Sequence, residues 1–330
     1  MILVIAGRAD EHAAAVIGRL DELGRRVVQL DTADLGDSSS LELSFGGGHH
    51  PVLTLRLADG DVDLTRAGTG WWRPATGATS LRVALSSSEA AARRESRAVV
   101  DGVIASLAVD WLNPPAADVV SRRTLLQWTV AAELGFALPR TIVTRDAERA
   151  GEFVAAAEAE GSGIITKSLR ARGDGVRETH LIGAQDLDRL RDARRPPTLL
   201  QEYVEGVDLR VTVVGERVFA AEVLTPAGEA PWAARNGAVD APLRPVELPG
   251  SLGAALVGLV QRLGLGLATV DLRRGTDGRH VFLDMDPTGE WLFVERRTGL
   301  PITDAVAHAL AVRDRSGCGA GASGPAVLTA

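Results

Sequence analysis

Apolar residues at the start of the chain form two short runs separated by a segment with helical spacing. Residues 2–6 are one run, residues 11–23 place apolar side chains three or four positions apart, and residues 27–30 are the second run. Gly24 ends the predicted helix. The order strand, helix, strand predicts a β-α-β unit of an open parallel sheet. Gly7 follows the first strand without a G-x-G-x-x-G pattern, so the unit does not predict dinucleotide binding.

Further along the chain, short apolar runs and amphipathic segments are separated by turn residues. The pattern predicts strands over residues 41–45, 52–57, 141–144, 164–167, 179–182, 198–204, 209–214, 217–224, 268–273 and 279–283, and one before Trp71. It predicts helices over residues 88–109, 118–135, 147–158, 184–192, 251–262 and 301–312. Glycine-containing turns at residues 46–48, 215–216 and 276–278 predict hairpins. The predicted fold class is therefore α/β.

Turn residues and composition suggest where the chain divides. Pro114 and Pro115 follow Asn113 and predict a domain boundary near residue 115. Residues 313–330 are rich in small and polar residues, and we predict that they are disordered.

Two carboxylates end one of the predicted strands. Asp284 and Asp286 are separated by one residue, so in a strand they project from the same face. Pro287 and Gly289 then turn the chain. Two carboxylates on one side repel each other unless a cation lies between them, and a hard cation such as Mg²⁺ suits them. The plainer interpretation is a strand that ends in a solvated acidic turn.

Composition narrows the function classes. The chain has 330 residues, of which 45% are hydrophobic and 24% charged, and its formal net charge is −7. An acidic balance argues against broad nucleic-acid binding, which requires a basic surface. A single cysteine, Cys318, excludes an intramolecular disulfide and a multi-thiolate metal site. No apolar run approaches the roughly 20 residues that cross a bilayer, and the start lacks signal-peptide features, so we expect a cytoplasmic protein without membrane partners.

The basic residues are almost all arginine, and Lys167 is the only lysine. It ends a predicted strand and precedes a segment rich in Gly and Arg. An ammonium is a compact point charge that suits a phosphate, which an arginine does not replace equivalently. The plainer interpretation is a solvated cation at a strand end.

Several motifs occur in one order along the chain. After Lys167 come Q-E-Y-V at residues 201–204 and D-L-R-V-T-V-V-G at residues 208–215. Asp271 lies on the strand predicted to pair with the one carrying Asp284 and Asp286, so three carboxylates are predicted to converge on one cation.

This order resembles the ATP-grasp superfamily, and more narrowly the graspetide (microviridin-type) ligases that cyclise ribosomally made peptides. The matching segments are Asn113-Pro114, residues 207–215, F-L-D-x-D-P-x-G-x-W at residues 282–291, T-G-L-P-I at residues 298–302 and W-R-P at residues 72–74. The resemblance covers roughly residues 1–312. It implies an N-terminal open α/β pre-ATP-grasp domain (residues 1–115) and two α+β subdomains (residues 116–204 and 205–312) that clamp ATP.

The resemblance also implies roles for individual residues. Lys167 would contact the phosphates, and Arg210 would face the γ-phosphate or the acyl phosphate. Asp208 would accept hydrogen bonds from the ribose hydroxyls. Adenine would bind at Gln201, Glu202, Tyr203 and Val204, through the backbone of the last three. Asp271, Asp284 and Asp286 would hold Mg²⁺.

Plainer interpretations remain open for some of these residues. Asp208 would then cap a turn, and Arg210 would pair with a neighbouring acid. Glu290 and Glu295 are either substrate-side groups or surface acids, and Trp71 and Trp72 are more typical of a core than of a ligand site.

The chain departs from the family pattern at three positions. Asp284 and Asp286 stand where the family has E-x-N, so one ligand is shorter by a C–C bond, roughly 1.5 Å, and the other adds a charge. Thr124 stands in register with the family's first phosphate lysine, and Arg122 or Arg123 would reach the phosphates instead.

The predicted function is ATP-dependent formation of ester or amide cross-links in a ribosomal peptide. A carboxylate of the peptide would become an acyl phosphate, and a Ser, Thr or Lys side chain would attack it. The expected partners are an acidic precursor peptide, which Arg170, Arg172 and Arg177 would contact, and a second copy of the chain in a homodimer. The alternatives are a stand-alone amino-acid or peptide ligase and a non-catalytic peptide-binding paralogue.

Overall fold

The computed structural model describes residues 1–32, 40–46, 49–57, 60–73, 87–167, 179–183, 196–224 and 241–316. The chain forms two compact units. The first comprises Met1–Asp118, Gly264–Gly266 and Pro301–Ala330, and the second comprises Val119–Leu263 and Leu267–Leu300. The predicted domain limits at residues 115, 204 and 312 stay a prediction. None of the helices in the described ranges is long and apolar enough to cross a membrane.

The first unit contains a four-stranded parallel sheet and a three-stranded antiparallel sheet. Its strands are β1 (Ile2–Ala6), β2 (Val27–Leu30), β3 (Ser40–Gly46), β4 (His49–Leu57), β5 (Gly60–Asp63), β6 (Thr69–Arg73) and β7 (Asp110–Leu112). The parallel sheet has the order β2-β1-β6-β7, and the antiparallel sheet has the order β3-β4-β5. The helices are α1 (Glu11–Glu22), α2 (Ser87–Ser106) and the last helix of the chain, which spans Ile302–Ser316.

Burial explains why this unit forms as the apolar pattern predicts. All five residues of β1 are buried, as expected for a central parallel strand. Trp71 and Trp72 are both buried, which confirms their interpretation as core residues. Arg73 ends the same strand and donates through Nε to both carboxylate oxygens of Asp10, at 3.0 and 2.8 Å. Asp10 also caps α1 by accepting from the Ala13 N–H.

The second unit contains two antiparallel sheets. Its strands are β8 (Thr141–Thr144), β9 (Ile164–Lys167), β10 (Thr179–Ile182), β11 (Thr198–Glu202), β12 (Gly206–Val214), β13 (Arg217–Val223), β14 (Leu243–Val246), β15 (Leu267–Gly275) and β16 (His280–Asp286). The helices from residue 115 onwards are α3 (Pro115–Ser121), α4 (Thr124–Glu133), α5 (Ala147–Ala159), α6 (Gly250–Arg262), α7 (Leu292–Thr298) and α8 (Ile302–Ser316). Of these, α8 is the last helix of the chain, which belongs to the first unit. The sheets have the orders β10-β9-β11-β8 and β14-β13-β12-β15-β16.

The five-stranded sheet has one apolar and one polar face. Leu209, Val211 and Val213 on β12 are buried, as are Val270 and Leu272 on β15. The residues between them on the two strands are polar, because successive side chains of a strand point to opposite faces. The polar members are Asp208, Arg210, Thr212, Thr269, Asp271 and Arg273.

Several predicted elements are confirmed, and others need correction. The strands joined at residues 215–216 and 276–278 form hairpins as predicted. The predicted helix over residues 118–135 is wrong as a single element, because the chain breaks at Arg122 and Arg123. The backbone of Arg123 is extended, with φ −82° and ψ 104°, and α4 begins after it.

Four elements were missed, and other predictions fall outside the described ranges. The missed elements are β5, β7, β14 and α7, which have only four, three, four and seven residues. The predicted disordered tail begins too early, because residues 313–316 belong to the last helix. The predicted helix over residues 184–192, the turn at residues 47–48 and the tail from residue 317 are not described.

A substitution of Gly206, at the start of β12, tests how closely the backbones of β12 and β15 approach each other in the five-stranded sheet. Its φ is +147°, and a Cβ there would lie 2.1 Å from the carbonyl oxygen of Arg274. We expect Gly206→Ala to destabilise the protein by at least about 2 kcal/mol, because backbone must move. The control is Gly258→Ala inside α6, where a Cβ meets nothing within 4 Å. The control should stabilise slightly, by about 0.5–1 kcal/mol. Urea denaturation checks both, and equal effects of the two variants would contradict the prediction.

Candidate active site

Three charged residues form a row across the polar face of the five-stranded sheet. Arg210 on β12 lies opposite Asp271 on β15, and Asp271 lies opposite Asp284 on β16. Residues directly opposite each other in antiparallel strands share a face. Asp286 lies one pair further along, opposite Thr269. The strand register therefore brings the predicted phosphate-binding arginine and the predicted metal-binding carboxylates to one surface.

Arg210 and Asp271 form an ion pair through Nη1 and Oδ1. The negative charge of Asp271 raises the pKa of Arg210, against the opposing effect of burial. Pairing with a neighbouring acid was the plainer interpretation of Arg210, and this structure shows that pair. A phosphate at Arg210 and a metal at Asp271 would each replace one partner of the pair.

Asp284 and Asp286 bond to the main chain beside them. One oxygen of Asp284 accepts from the N–H of Met285 at 3.0 Å, and one oxygen of Asp286 accepts from the N–H of Thr288 at 2.9 Å. Within the described ranges, no three His, Cys, Asp or Glu side chains are grouped as a metal site. The metal role of Asp271, Asp284 and Asp286 thus stays a prediction, and the first of them pairs with Arg210 here.

Arg122 reaches the turn that follows the two carboxylates. Its Nη2 donates to Thr288 Oγ1 at 2.7 Å, and its Nη1 lies 4.0 Å from Asp286 Oδ1. Arg123 points elsewhere, since its exposed side chain donates to the carbonyl of Val119 at 3.4 Å. Of the two arginines proposed to replace a phosphate lysine, only Arg122 lies beside Asp286.

The main chain of β16 is held by side chains of α4. Gln127 is fully buried, donates to the carbonyl of Met285 at 2.7 Å and accepts from its N–H at 3.1 Å. Trp128 Nε1 donates to the carbonyl of Leu283 at 3.1 Å. These bonds fix the backbone on which Asp284 and Asp286 lie.

Lys167 is buried rather than solvated, with only 8% of its surface exposed. Its Nζ lies 3.4 Å from the carbonyl oxygen of Leu283 and 5.0 Å from the centre of the Trp128 ring. The carbonyl and the ring face are both electron-rich and stabilise the ammonium. The interpretation of Lys167 as a solvated strand-end cation is therefore excluded.

In the predicted hinge that follows β11, only some of the main-chain N–H groups donate hydrogen bonds to other residues in the described ranges. The N–H of Glu202 donates to the carbonyl of Arg140 at 2.8 Å, and the N–H of Tyr203 donates to that of Gly163 at 2.8 Å. The N–H of Val204 has no partner among the residues that the structure describes. A donor at this position suits the predicted adenine contact.

Two side chains of the predicted hinge serve the fold. Gln201 is buried and donates to Thr141 Oγ1 at 2.9 Å. Glu202 accepts from Arg140 Nε at 2.8 Å, and this hydrogen bond lowers the pKa of Glu202. A nucleotide contact at either residue would therefore use the main chain.

Asp208 is held by Arg273, which the sequence did not single out. Arg273 Nε and Nη2 donate to the two oxygens of Asp208 at 2.9 and 2.8 Å. Burial is the largest single effect and lowers the pKa of Arg273, but the charge and hydrogen bonds of Asp208, together with Tyr203, outweigh it, so that pKa is raised. The plainer interpretation of Asp208 as a turn cap is replaced by a buried ion pair. Only the paired register of β12 and β15 reveals this partner.

The remaining candidates lie at the edge of the site or outside the described ranges. Glu290 is exposed, and its main-chain N–H donates a hydrogen bond to Thr269 Oγ1 at 3.2 Å. Glu295 lies in the first turn of α7. Arg170, Arg172 and Arg177 belong to residues 168–178, which the structure does not describe.

Comparison with known proteins identifies the fold. No family model and no curated protein matches the sequence. The macrocyclase MdnC of Microcystis aeruginosa MRC, solved with precursor peptide MdnA, is 26% identical with a TM-score of 0.79, covering 94% of this chain and 99% of that one. A RiPP-associated ATP-grasp ligase of Chryseobacterium gregarium, solved with ADP and a leader and core peptide, is 22% identical with a TM-score of 0.83, covering 94% and 96%. The ATP-grasp ligase PsnB, solved with a minimal precursor, Mg and ADP, is 20% identical with a TM-score of 0.75, covering 95% and 98%.

The chain has the fold of the ATP-grasp ligases with which it was compared. Its fold is shared by the macrocyclase MdnC and by the RiPP-associated ATP-grasp ligase. Both levels of the sequence-based identification are confirmed, and so is the α/β fold class.

A substitution of Gln127 tests how much the hydrogen bonds from α4 to the main chain of β16 contribute to stability. We expect Gln127→Leu to lower the free energy of unfolding by about 2–4 kcal/mol, because the C=O of Met285 loses the hydrogen bond from Gln127 and its N–H keeps only the one to Asp284. Trp128→Phe removes a single hydrogen bond, to Leu283, and should cost about 1 kcal/mol. Urea denaturation gives both values, and amide hydrogen exchange at Met285 should accelerate in Gln127→Leu. Unchanged exchange at that amide would rule out the proposed support.

Proposed function

We propose that this chain is an ATP- and Mg²⁺-dependent ligase that forms ester or amide cross-links within a ribosomal precursor peptide. A Glu or Asp side chain of the peptide is activated, and a Ser or Thr hydroxyl or a Lys amine of the same peptide attacks it. The observation that carries this proposal is the charged row Arg210, Asp271 and Asp284 on a sheet whose fold matches peptide macrocyclases.

The residues present fit a magnesium nucleotide. Carboxylate oxygens, which Asp284 and Asp286 offer, are the ligands that Mg²⁺ prefers. Lys167 and Arg210 supply the cations for phosphates, and the Val204 N–H supplies a donor for adenine. The neighbour PsnB was solved with Mg and ADP, which supports the same cofactor here. Bound ATP would supply the phosphoryl group that activates a carboxylate.

The chain's own residues would position and neutralise the reacting groups. Lys167 is already desolvated, so its charge acts on a phosphate with little screening by water. Arg210 would exchange Asp271 for the oxygens on which negative charge develops. The peptide supplies both the electrophile and the nucleophile, so the reaction does not require a nucleophilic side chain of the enzyme.

The peptide partner is proposed from the neighbours, which were solved with precursor peptides. We propose that the peptide is acidic and that Arg170, Arg172 and Arg177 contribute to its binding. A homodimer is likewise proposed from the resemblance alone.

Intact mass tests the reaction class. The protein is incubated with ATP, Mg²⁺, free amino acids and an acidic peptide encoded beside its gene, and the peptide mass is measured. Each ring forms one ester or amide and should remove one water, with one ATP converted to ADP and phosphate. A gain of one amino-acid residue would instead show the stand-alone ligase. Unchanged mass with every acidic peptide tried would refute both functions.

Lys167→Met tests whether the chain is catalytic. The variant keeps an unbranched side chain of similar length for the buried site and removes the charge, so we expect ATP turnover to fall at least about 100-fold. Peptide affinity should change little, since Lys167 is assigned to the phosphates. The control is Arg262→Gln, because that side chain is 67% exposed and pairs only loosely with Glu133, at 3.9 Å. A wild-type protein that binds peptide but never turns over ATP would identify a non-catalytic paralogue.

A further inference from the structure

Arg273 is a buried cation that none of the roles above uses. It lies on the polar face of β15, directly opposite Asp208 in the strand register, and only 4% of its surface is exposed. The two residues belong to neighbouring strands of one sheet, so their relative position is fixed by main-chain hydrogen bonds.

All three nitrogens of the Arg273 guanidinium face the hinge region. Nε and Nη2 donate to the two oxygens of Asp208, and Nη1 donates to the carbonyl of Val204 at 2.8 Å. The guanidinium carbon also lies 5.0 Å from the centre of the Tyr203 ring. One side chain thus holds Asp208, a hinge carbonyl and a hinge ring together.

Stability alone does not account for this arrangement. Removing two charges from water is costly, and a buried ion pair often contributes no more than well-packed apolar residues would. The fork does, however, fix the plane of the Asp208 carboxylate, which a monodentate cation cannot do. A carboxylate accepts up to about four hydrogen bonds, so the fork of Arg273 defines the directions from which other donors can approach Asp208.

We propose that Arg273 is a positioning residue for the adenosine part of the nucleotide. It orients Asp208 towards the ribose hydroxyls and fixes the hinge at Tyr203 and Val204 for adenine. This inference rests on the proposed ATP-dependent function and assigns a specificity determinant to it.

Nucleotide binding measured by calorimetry tests the proposal without a peptide. The probes are ATP and 2′,3′-dideoxy-ATP, each with Mg²⁺, and the second lacks both ribose hydroxyls. Wild-type protein should bind ATP about tenfold or more tightly than the dideoxy nucleotide, as expected for hydrogen bonds to a carboxylate. In Arg273→Met the ratio of the two dissociation constants should approach one, and ATP binding should weaken about tenfold.

Three further variants separate positioning from structure. Asp208→Asn should also lose the discrimination, and Arg273→Lys should restore it only in part, because an ammonium cannot make the forked contact. The matched control is Arg274→Met, the next residue on β15, whose side chain pairs with Glu222 at 3.3 Å rather than with Asp208. The control should keep the wild-type ratio.

The outcomes are distinct. A folded Arg273→Met protein that keeps the wild-type ratio overturns the proposal, as does a wild-type protein that binds both nucleotides equally. If Arg273→Met does not fold, thermal melting shows it, and Arg273→Lys then decides by the same ratio. A wild-type protein that binds neither nucleotide refutes the proposed function itself.

Discussion

An edge strand leaves one row of its main-chain N–H and C=O groups without a strand partner. β16 is such a strand, yet its outer row is satisfied by Gln127, Trp128 and the carbonyl of Ala137. Leu283 is the extra residue of a bulge, because Asp271 pairs with Asp284 while Leu272 pairs with Phe282. Its carbonyl accepts from Trp128 and lies within reach of Lys167. The same bonds therefore protect the edge and place the lysine against the main chain of the strand that carries the two carboxylates.

The charges of the polar face are arranged in pairs across the strands. Arg210 faces Asp271 and Arg273 faces Asp208, each across one β12–β15 step. A buried charge without a partner is costly. Because each charge has a partner of opposite sign, the sheet can hold four charged side chains as two neighbouring cross-strand pairs. Both pairs join a group predicted to contact the nucleotide to a group of opposite sign. Ligand binding at Arg210 would thus exchange partners, whereas Asp208 could keep Arg273 and accept further bonds.

The sequence predicted the elements whose pattern is local. The tight hairpins at residues 215–216 and 276–278 set the register of β12 with β13 and of β15 with β16. The bulge at Leu283, which the sequence did not predict, then brings Asp284 opposite Asp271. The sequence could not predict the hydrogen bond from Gln127 to the main chain of Met285, because the two residues are 158 positions apart and no periodicity links them. Arg273 was missed for the same reason, since its pairing depends on how two separate hairpins join. Short elements such as β7 and β14 carry too few residues for a period to show.

Two departures from the family pattern meet at one turn. In the resemblance drawn from the sequence, Asp286 stands where the family has a neutral Asn, and Thr124, at the start of α4, stands where it has a phosphate lysine. The chain breaks between α3 and α4 at Arg122, whose guanidinium lies 4.0 Å from Asp286 and bonds Thr288 at 2.7 Å. The added carboxylate thus has a cation beside it, supplied from the segment that lost one. Asp286 also accepts the Thr288 N–H, a bond that Asn would make equally well. The charge itself is therefore what Arg122 balances, and the two substitutions are best understood together.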